Sequence, residues 1–248
     1  MEKYGLIGRP LGHSFSAGFF AEKFTREKID ATYDNYELLD IPHYFMDLVK
    51  SMPELRGLNV TIPYKQDVIP YLNELSDEAK AIGAVNVVKI NHRGDGSVYL
   101  KGFNSDVIGF SESIKPLLHP WHKKALVLGT GGASKAVVYG LKKMGLIPTY
   151  VSRHHREDGL TYQDLSPEII NDNLVIINCS PVGMFPHVDE SPAIPYNYLT
   201  PKHVLYDLVY NPLETNFLHK GAERGCTIKN GLEMLHLQAL ASWNFWHE

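Results

Sequence analysis

Cysteine is scarce in this chain: only Cys179 and Cys226 occur in 248 residues, 47 positions apart and in apolar surroundings. That spacing supports neither a disulfide framework nor a CxxC metal pair, so reduced thiols are expected. Long apolar runs are missing too. The longest span about four residues, as in Leu174-Val175-Ile176-Ile177, far short of the roughly 20 needed to cross a bilayer. An excess of positive charge is also lacking: 24 Lys and Arg stand against 28 Asp and Glu, a net charge of -4. A phosphate backbone or an anionic membrane is therefore a poor expectation as a partner. Twelve histidines are present, yet none forms HExxH, and His154-His155 are adjacent, so they would not converge on one ion from a strand or helix. No metal is expected. Arg9 and His13 interrupt the apolar residues of the first segment, MEKYGLIGRPLGHSFS, which reads as a strand entering a turn rather than a secretion signal. A cytoplasmic protein is expected.

What is there is ordinary globular composition, 44% hydrophobic and 21% charged, with enough chain for one large domain or two modest ones. Strand-like and helix-like segments alternate, which points to an α/β layer structure. Strands are predicted at Lys3 to Gly8, Ala31 to Tyr36, Gly57 to Ile62, Ala84 to Ile90 and Val98 to Phe103. The last two are joined by a turn containing Gly94-Asp95-Gly96, as in a hairpin. Helices are predicted around Phe19, Phe20 and Phe24 and at about Ile41 to Ser51. A second unit opens after Asn104 with a helix from Asp106 to Leu118, followed by the buried-strand run Ala125 to Leu128, a glycine-rich turn, a helix and a strand at Thr149 to Ser152. Strands at Leu174 to Asn178 and Val204 to Val209, a helix at Thr215 to Arg224 and a closing apolar helix at Leu232 to Trp246 complete the pattern.

Three constellations carry chemistry. Gly129-Thr130-Gly131-Gly132-Ala133-Ser134 joins a predicted strand to a predicted helix, where glycines let the backbone approach a pyrophosphate on the helix N-terminus; the alternative is a ligand-free turn. The next predicted strand ends in Ser152-Arg153-His154-His155-Arg156, with no carboxylate to hold ribose hydroxyls but with guanidinium groups able to pair with a 2′-phosphate; the alternative is a solvated basic loop. In Asn59-Val60-Thr61-Ile62-Pro63-Tyr64-Lys65, strand alternation puts Asn59 and Thr61 on one face and a proline turn delivers Lys65. Lys65 is either a solvated surface residue or, beside a carboxylate in a cleft, a proton donor or acceptor. Asn86, the Asn104-Ser105-Asp106 turn, Ser14 and Ser16 lie at or just beyond other strands. Gathered at one edge, these side chains would make a polar pocket suited to a small polyhydroxylated acid.

GRPLGHSFS, NVTIPYK, IGAVNVV, GFNSDVIGF, GTGGASKA, NCSPVGM, YDLVYNPLETNFL and NGLEMLHLQA resemble, in order and spacing over essentially the whole chain, the motifs of the shikimate dehydrogenase family. The resemblance implies an α/β substrate domain with a mixed sheet over residues 1–106, completed by a returning C-terminal helix at 232–248. It implies a Rossmann-type NADP-binding domain over 107–231. The family reaction is reversible reduction of 3-dehydroshikimate to shikimate in aromatic amino-acid biosynthesis. By resemblance, Ser14 and Ser16 bind the substrate carboxylate, and Asn59, Thr61, Asn86 and Asp106 line the ring hydroxyls. Lys65 and Asp106 form the catalytic pair, and Tyr210 and Gln238 add substrate contacts. Gly129, Thr130, Gly131, Gly132 and Ala133 hold the cofactor phosphates, Ser152, Arg153 and His154 its 2′-phosphate end, and Leu208 and Gly231 its nicotinamide end.

The chain departs from the family pattern at Ser152 and His154, which flank the retained Arg153 in place of Asn and Thr, and at Ser105, which stands where Thr is common. Cys179 replaces a small residue. An NADP-dependent shikimate dehydrogenase acting as monomer or homodimer is the leading expectation, with a broader quinate/shikimate dehydrogenase and a non-catalytic NADP-binding sensor as alternatives.

Overall fold

The computed structural model describes residues 1–12 and 15–248, which form two compact units, Met1–Ile108 with His236–Glu248, and Gly109–Leu235. The first unit runs through β1 (Glu2–Gly8), α1 (Phe15–Glu27), β2 (Ala31–Glu37), α2 (Ile41–Ser51), β3 (Leu55–Val60), β4 (Glu74–Leu75), α3 (Asp77–Ile82), β5 (Val87–His92) and β6 (Val98–Phe103), and α4 (Asp106–Ile114) starts at its end. Its sheet has the order β2-β1-β3-β5-β6-β4 and is mixed. β1 lies parallel to β2 and β3, while β5 runs antiparallel to both its neighbours, β3 and β6.

Strand alternation sorts the two faces of this sheet. Ile7, Leu58, Val60, Val88 and Leu100 point into one core with Ile41, Phe45 and Val49 of α2, an i, i+4, i+8 stripe. Asp40 caps that helix by accepting from the His43 N–H at 2.8 Å. Tyr4, Val87 and Phe103 point the other way, against Phe20 and Phe24 of α1 and Ala239 and Trp246 near the C-terminus. Asn59 alternates with Leu58 and Val60, so it belongs to this second, helix-covered face.

β3 and β5 are displaced along the chain from their sequence patterns. β3 stops at Val60 rather than Ile62 because the chain turns at once, with the Tyr64 N–H donating back to the Thr61 carbonyl at 2.9 Å. β5 begins at Val87 rather than Ala84 because the Val85 N–H is taken at 2.7 Å by the Lys65 carbonyl of that same turn. The turn that carries Lys65 is thereby tied to the segment that carries Asn86.

The second unit contains β7 (Lys124–Leu128), α5 (Gly132–Lys143), β8 (Ile147–Ser152), β9 (Gly159–Thr161), α6 (Pro167–Asp172), β10 (Val175–Asn178), β11 (Val204–Asp207), α7 (Asn216–Ala222) and β12 (Thr227–Lys229), and α8 (Leu232–His247) starts at its end. Every strand pair is parallel, in the order β12-β11-β10-β7-β8-β9. Taken by position within this sheet, that is the doubly wound dinucleotide-binding order, which reverses between β7 and β10. Ala125 to Leu128, all of β10 and all of β11 are buried, as expected of strands covered on both faces. Cys179 and Cys226 are free thiols. Among the described residues no helix is long and apolar enough to cross a membrane.

Candidate active site

In the first unit Lys65 and Asp106 meet. The Lys65 ammonium donates to Oδ2 of Asp106 at 2.6 Å, with the two side chains 15% and 4% exposed. Burial of this degree makes each charge depend on the other. Asp106 is the first residue of α4, where the helix dipole favours a carboxylate. Its other oxygen, Oδ1, accepts from Nδ2 of Asn86 at 2.9 Å. Asn86 is itself pinned, since Nδ2 also donates to the Ser105 hydroxyl at 3.0 Å and Oδ1 accepts from the Ser105 backbone N–H at 2.7 Å. Asn104 holds the turn from below, bonding the Ala84 carbonyl at 3.0 Å and accepting from the Val107 N–H at 3.2 Å. An ammonium carries three donors. Asp106 takes one of them, so Lys65 is aimed while retaining donors for an oxygen placed beside it.

Asn59 adjoins this cluster. Its Nδ2 donates to the Asn86 carbonyl at 3.3 Å and to the Ser242 hydroxyl at 2.8 Å, and its Oδ1 accepts from the Tyr33 hydroxyl at 2.9 Å. Tyr33 is hydrogen-bonded in turn to Ser16. Gln238 stands one helical turn before Ser242 on α8, and its carbonyl accepts the Ser242 hydroxyl proton at 2.8 Å. Thr61 follows β3, with its N–H on the Ile7 carbonyl at 2.9 Å. Of the side chains picked from the sequence, Ser16, Asn59, Asn86, Asp106 and Lys65 thus join one hydrogen-bonded cluster; Ser14 lies outside the described residues. Sequence reasoning missed Tyr33 and Ser242 as members. Ser105 was inside a motif already singled out, and Ser242 follows Gln238 at the i, i+4 spacing that shares a helix face.

The second unit brings its own set to the C-terminal edge of its sheet. The Gly129 N–H donates to the Val151 carbonyl at 2.9 Å, placing the glycine turn beside the Ser152-Arg153-His154 segment. Gly129 has φ of +105° and an added Cβ would lie 3.2 Å from the Ser180 backbone nitrogen, so only glycine serves there. Gly131 caps α5 without any side chain on its amides, leaving N–H groups and the positive end of the dipole available to an anion. Ser134 turns inward, its hydroxyl on the Gly131 carbonyl at 2.6 Å. Arg156 is held by Asp158 through two bonds of 2.8 and 3.0 Å and lies over the Tyr150 ring. Leu208 and Gly231 are pressed together, since a Cβ on Gly231 would fall 2.2 Å from the Leu208 carbonyl oxygen. Asp207, just before Leu208, is buried and accepts from Thr215 at 2.6 Å and from the Val209 N–H and Asn178 Nδ2 at 3.0 Å each. Burial pushes its carboxyl up to about 6 despite these donors. The network fixes the start of the loop that carries Tyr210.

A profile described as the shikimate dehydrogenase substrate binding domain matches residues 6–88. The shikimate dehydrogenase (NADP(+)) of Caldicellulosiruptor bescii is 36% identical over 264 residues, covering 100% of this chain and 90% of that protein. The chain belongs to the shikimate dehydrogenase family. Among solved members, the shikimate 5-dehydrogenase of Thermus thermophilus in complex with NADP(H) and shikimate superposes with a TM-score of 0.84 at 29% identity, over 99% of this chain and 93% of that one. Quinate dehydrogenase from Corynebacterium glutamicum in complex with NAD gives 0.86 at 26% identity, over 99% and 93%. In this member of the shikimate dehydrogenase family the mixed-sheet unit carries the partly buried Lys65 and the buried Asp106, and the parallel-sheet unit carries the Gly129 turn.

Proposed function

We propose that this chain catalyses the reversible NADP-dependent interconversion of shikimate and 3-dehydroshikimate, with Lys65 and Asp106 as its catalytic pair. The carrying observation is the 2.6 Å contact between the partly buried Lys65 and the buried Asp106, with Asn86 on the second carboxylate oxygen. In the reducing direction the Lys65 ammonium gives a proton to the substrate oxygen as that carbonyl becomes an alcohol. In the oxidising direction the amine takes the hydroxyl proton back. Asp106 aims Lys65 and compensates its charge. Ser14 and Ser16 receive the substrate carboxylate, Asn59, Thr61, Asn86 and Asp106 line its ring hydroxyls, and Gln238 and Tyr210 add substrate contacts. Residues 1–106 with 232–248 serve as the substrate domain and 107–231 as the NADP domain.

The residues present fit NADP. The positive-φ Gly129, the uncapped Gly131 and the open first turn of α5 suit a pyrophosphate, held by Gly129, Thr130, Gly131, Gly132 and Ala133. Ser152, Arg153 and His154 meet the 2′-phosphate, and Leu208 and Gly231 border the nicotinamide. NADP, when bound, supplies or accepts the hydride. An NAD-linked, quinate-directed reading would want a carboxylate for the ribose hydroxyls at the end of β8, where Ser152 to Arg156 contain none. The proposal extends to a cytoplasmic enzyme, monomeric or homodimeric. Its test is Lys65→Met: turnover of shikimate falls about 10² to 10⁴-fold with a much smaller change in substrate affinity, and near-normal turnover refutes the assignment.

A further inference from the structure

The donors and acceptors around Asn59 can be counted without ambiguity. An amide has two N–H donors and one carbonyl oxygen with two lone pairs, and which end is which is settled by its partners. The Asn86 carbonyl can only accept, so the group facing it at 3.3 Å is Nδ2. The second Nδ2 hydrogen goes to Ser242 at 2.8 Å. Ser242 can accept it because its own single proton is spent on the Gln238 carbonyl, one turn back along α8, at 2.8 Å. The Tyr33 hydroxyl uses one lone pair of Asn59 Oδ1 at 2.9 Å. What Asn59 has left is one lone pair and no donor.

We propose that Ser242 is a specificity-determining positioning residue: by holding the Asn59 amide it makes Asn59 an acceptor only, so that the ring position facing Asn59 must carry a hydrogen-bond donor. The inference rests on the reading above that Asn59 lines the substrate ring. Ser242 is buried, 1% exposed, and lies 3.4 Å from the Ser105 hydroxyl. Ser105 in turn contacts the amide of Asn86, whose two Nδ2 hydrogens are also both committed, to Ser105 and Asp106. Neither asparagine can then donate to a ligand, and Lys65 is the one donor of the Lys65, Asp106, Asn86 and Asn59 set. Acceptors facing the ring select hydroxyls, and the single ammonium is reserved for the reacting oxygen. A site built to accept from a hydroxyl rejects an analogue that cannot donate, because its own polar atom is left unpaired.

The test compares shikimate with its two deoxyfluoro analogues at the non-reacting ring hydroxyls, in which fluorine roughly keeps the size but cannot donate. With wild-type enzyme and NADP, one analogue should show kcat/KM lowered about 10²-fold or more relative to shikimate. In Ser242→Ala the freed Asn59 N–H can turn to the fluorine, and that penalty should shrink at least about tenfold, while Ser242→Thr, which keeps a hydroxyl at the same carbon, retains it. Thermal unfolding of each variant, read from tryptophan fluorescence, shows whether it folds; if Ser242→Ala does not, Ser242→Cys, a weaker acceptor, should still lower the penalty. A penalty equal to wild type in the folded Ala or Cys variant, or no penalty in the wild type at either position, overturns the proposal. Failure of the wild type to oxidise shikimate at all removes instead the functional reading beneath it.

Discussion

Asp106→Asn is the most informative substitution in the first unit, because it changes charge with almost no change in shape. The carboxylate accepts on both oxygens, from Lys65 at 2.6 Å and from Asn86 at 2.9 Å. An amide has one acceptor oxygen. If it faces Lys65, the new NH2 points at the Asn86 NH2; if it is turned round, the NH2 points at the ammonium. Either way one attractive contact becomes donor against donor, and Lys65 loses its counter-charge at a side chain only 15% exposed. Removing one partner of a buried pair costs about 3 to 5 kcal/mol, and Lys65, no longer aimed, should lose about 10² to 10⁴-fold in kcat. Urea unfolding followed by tryptophan fluorescence reads the first term, since Trp243 and Trp246 lie in this unit; initial rates of NADP reduction with shikimate read the second. Lys65→Met leaves the complementary orphan, a buried carboxylate. The double variant should therefore be more stable than the summed losses by at least about 1 kcal/mol and no slower than the worse single variant by more than a few-fold. Strict additivity in both readouts would refute the coupled pair.

The basic loop after β8 and a buried histidine give the remaining predictions. Arg153→Ala should lower the ratio of specificity constants for NADP over NAD by about tenfold to a hundredfold, the value of one charge-assisted contact, whereas Arg156→Ala should lower it less because Asp158 already holds that guanidinium; an Arg153 variant with an unaltered ratio refutes the 2′-phosphate role. His203 is 1% exposed, with Nδ1 taking the Thr200 N–H at 3.0 Å and Nε2 facing the Ile170 carbonyl at 3.1 Å. Burial holds it below the usual histidine range, so the unfolded chain binds this proton more readily and stability falls as pH drops below about 6.5. His203→Gln should flatten the decline of melting temperature between pH 7 and 5, and an unchanged slope would contradict this.

Sequence patterns exposed the large elements and the chemistry placed at their ends. α2 was readable to its boundaries, Ile41 to Ser51, because cap, proline and stripe agree on them. β4, β9 and β12 span two or three residues each, too few for a period-2 pattern to show, and the six-residue helices α3 and α6 are too short for a full stripe. Lys65, Asn86 and Asp106 stood out because each follows or precedes a strand in a polar motif, and they do meet. Tyr33 and Ser242 did not, because their roles come from partners 26 and 183 positions away in the chain. One read as an ordinary strand residue and the other as the polar interruption of an apolar helix; only the packing of α8 on the first sheet gives them Asn59 in common.

Initial rates of the purified chain with shikimate and with quinate, each offered with NADP and with NAD, decide whether it is an NADP-linked shikimate dehydrogenase. Shikimate with NADP should have the highest kcat/KM of the four pairs, and Lys65→Met should abolish nearly all of it. No reduction of NADP by shikimate, or a preference for quinate with NAD, would contradict that assignment.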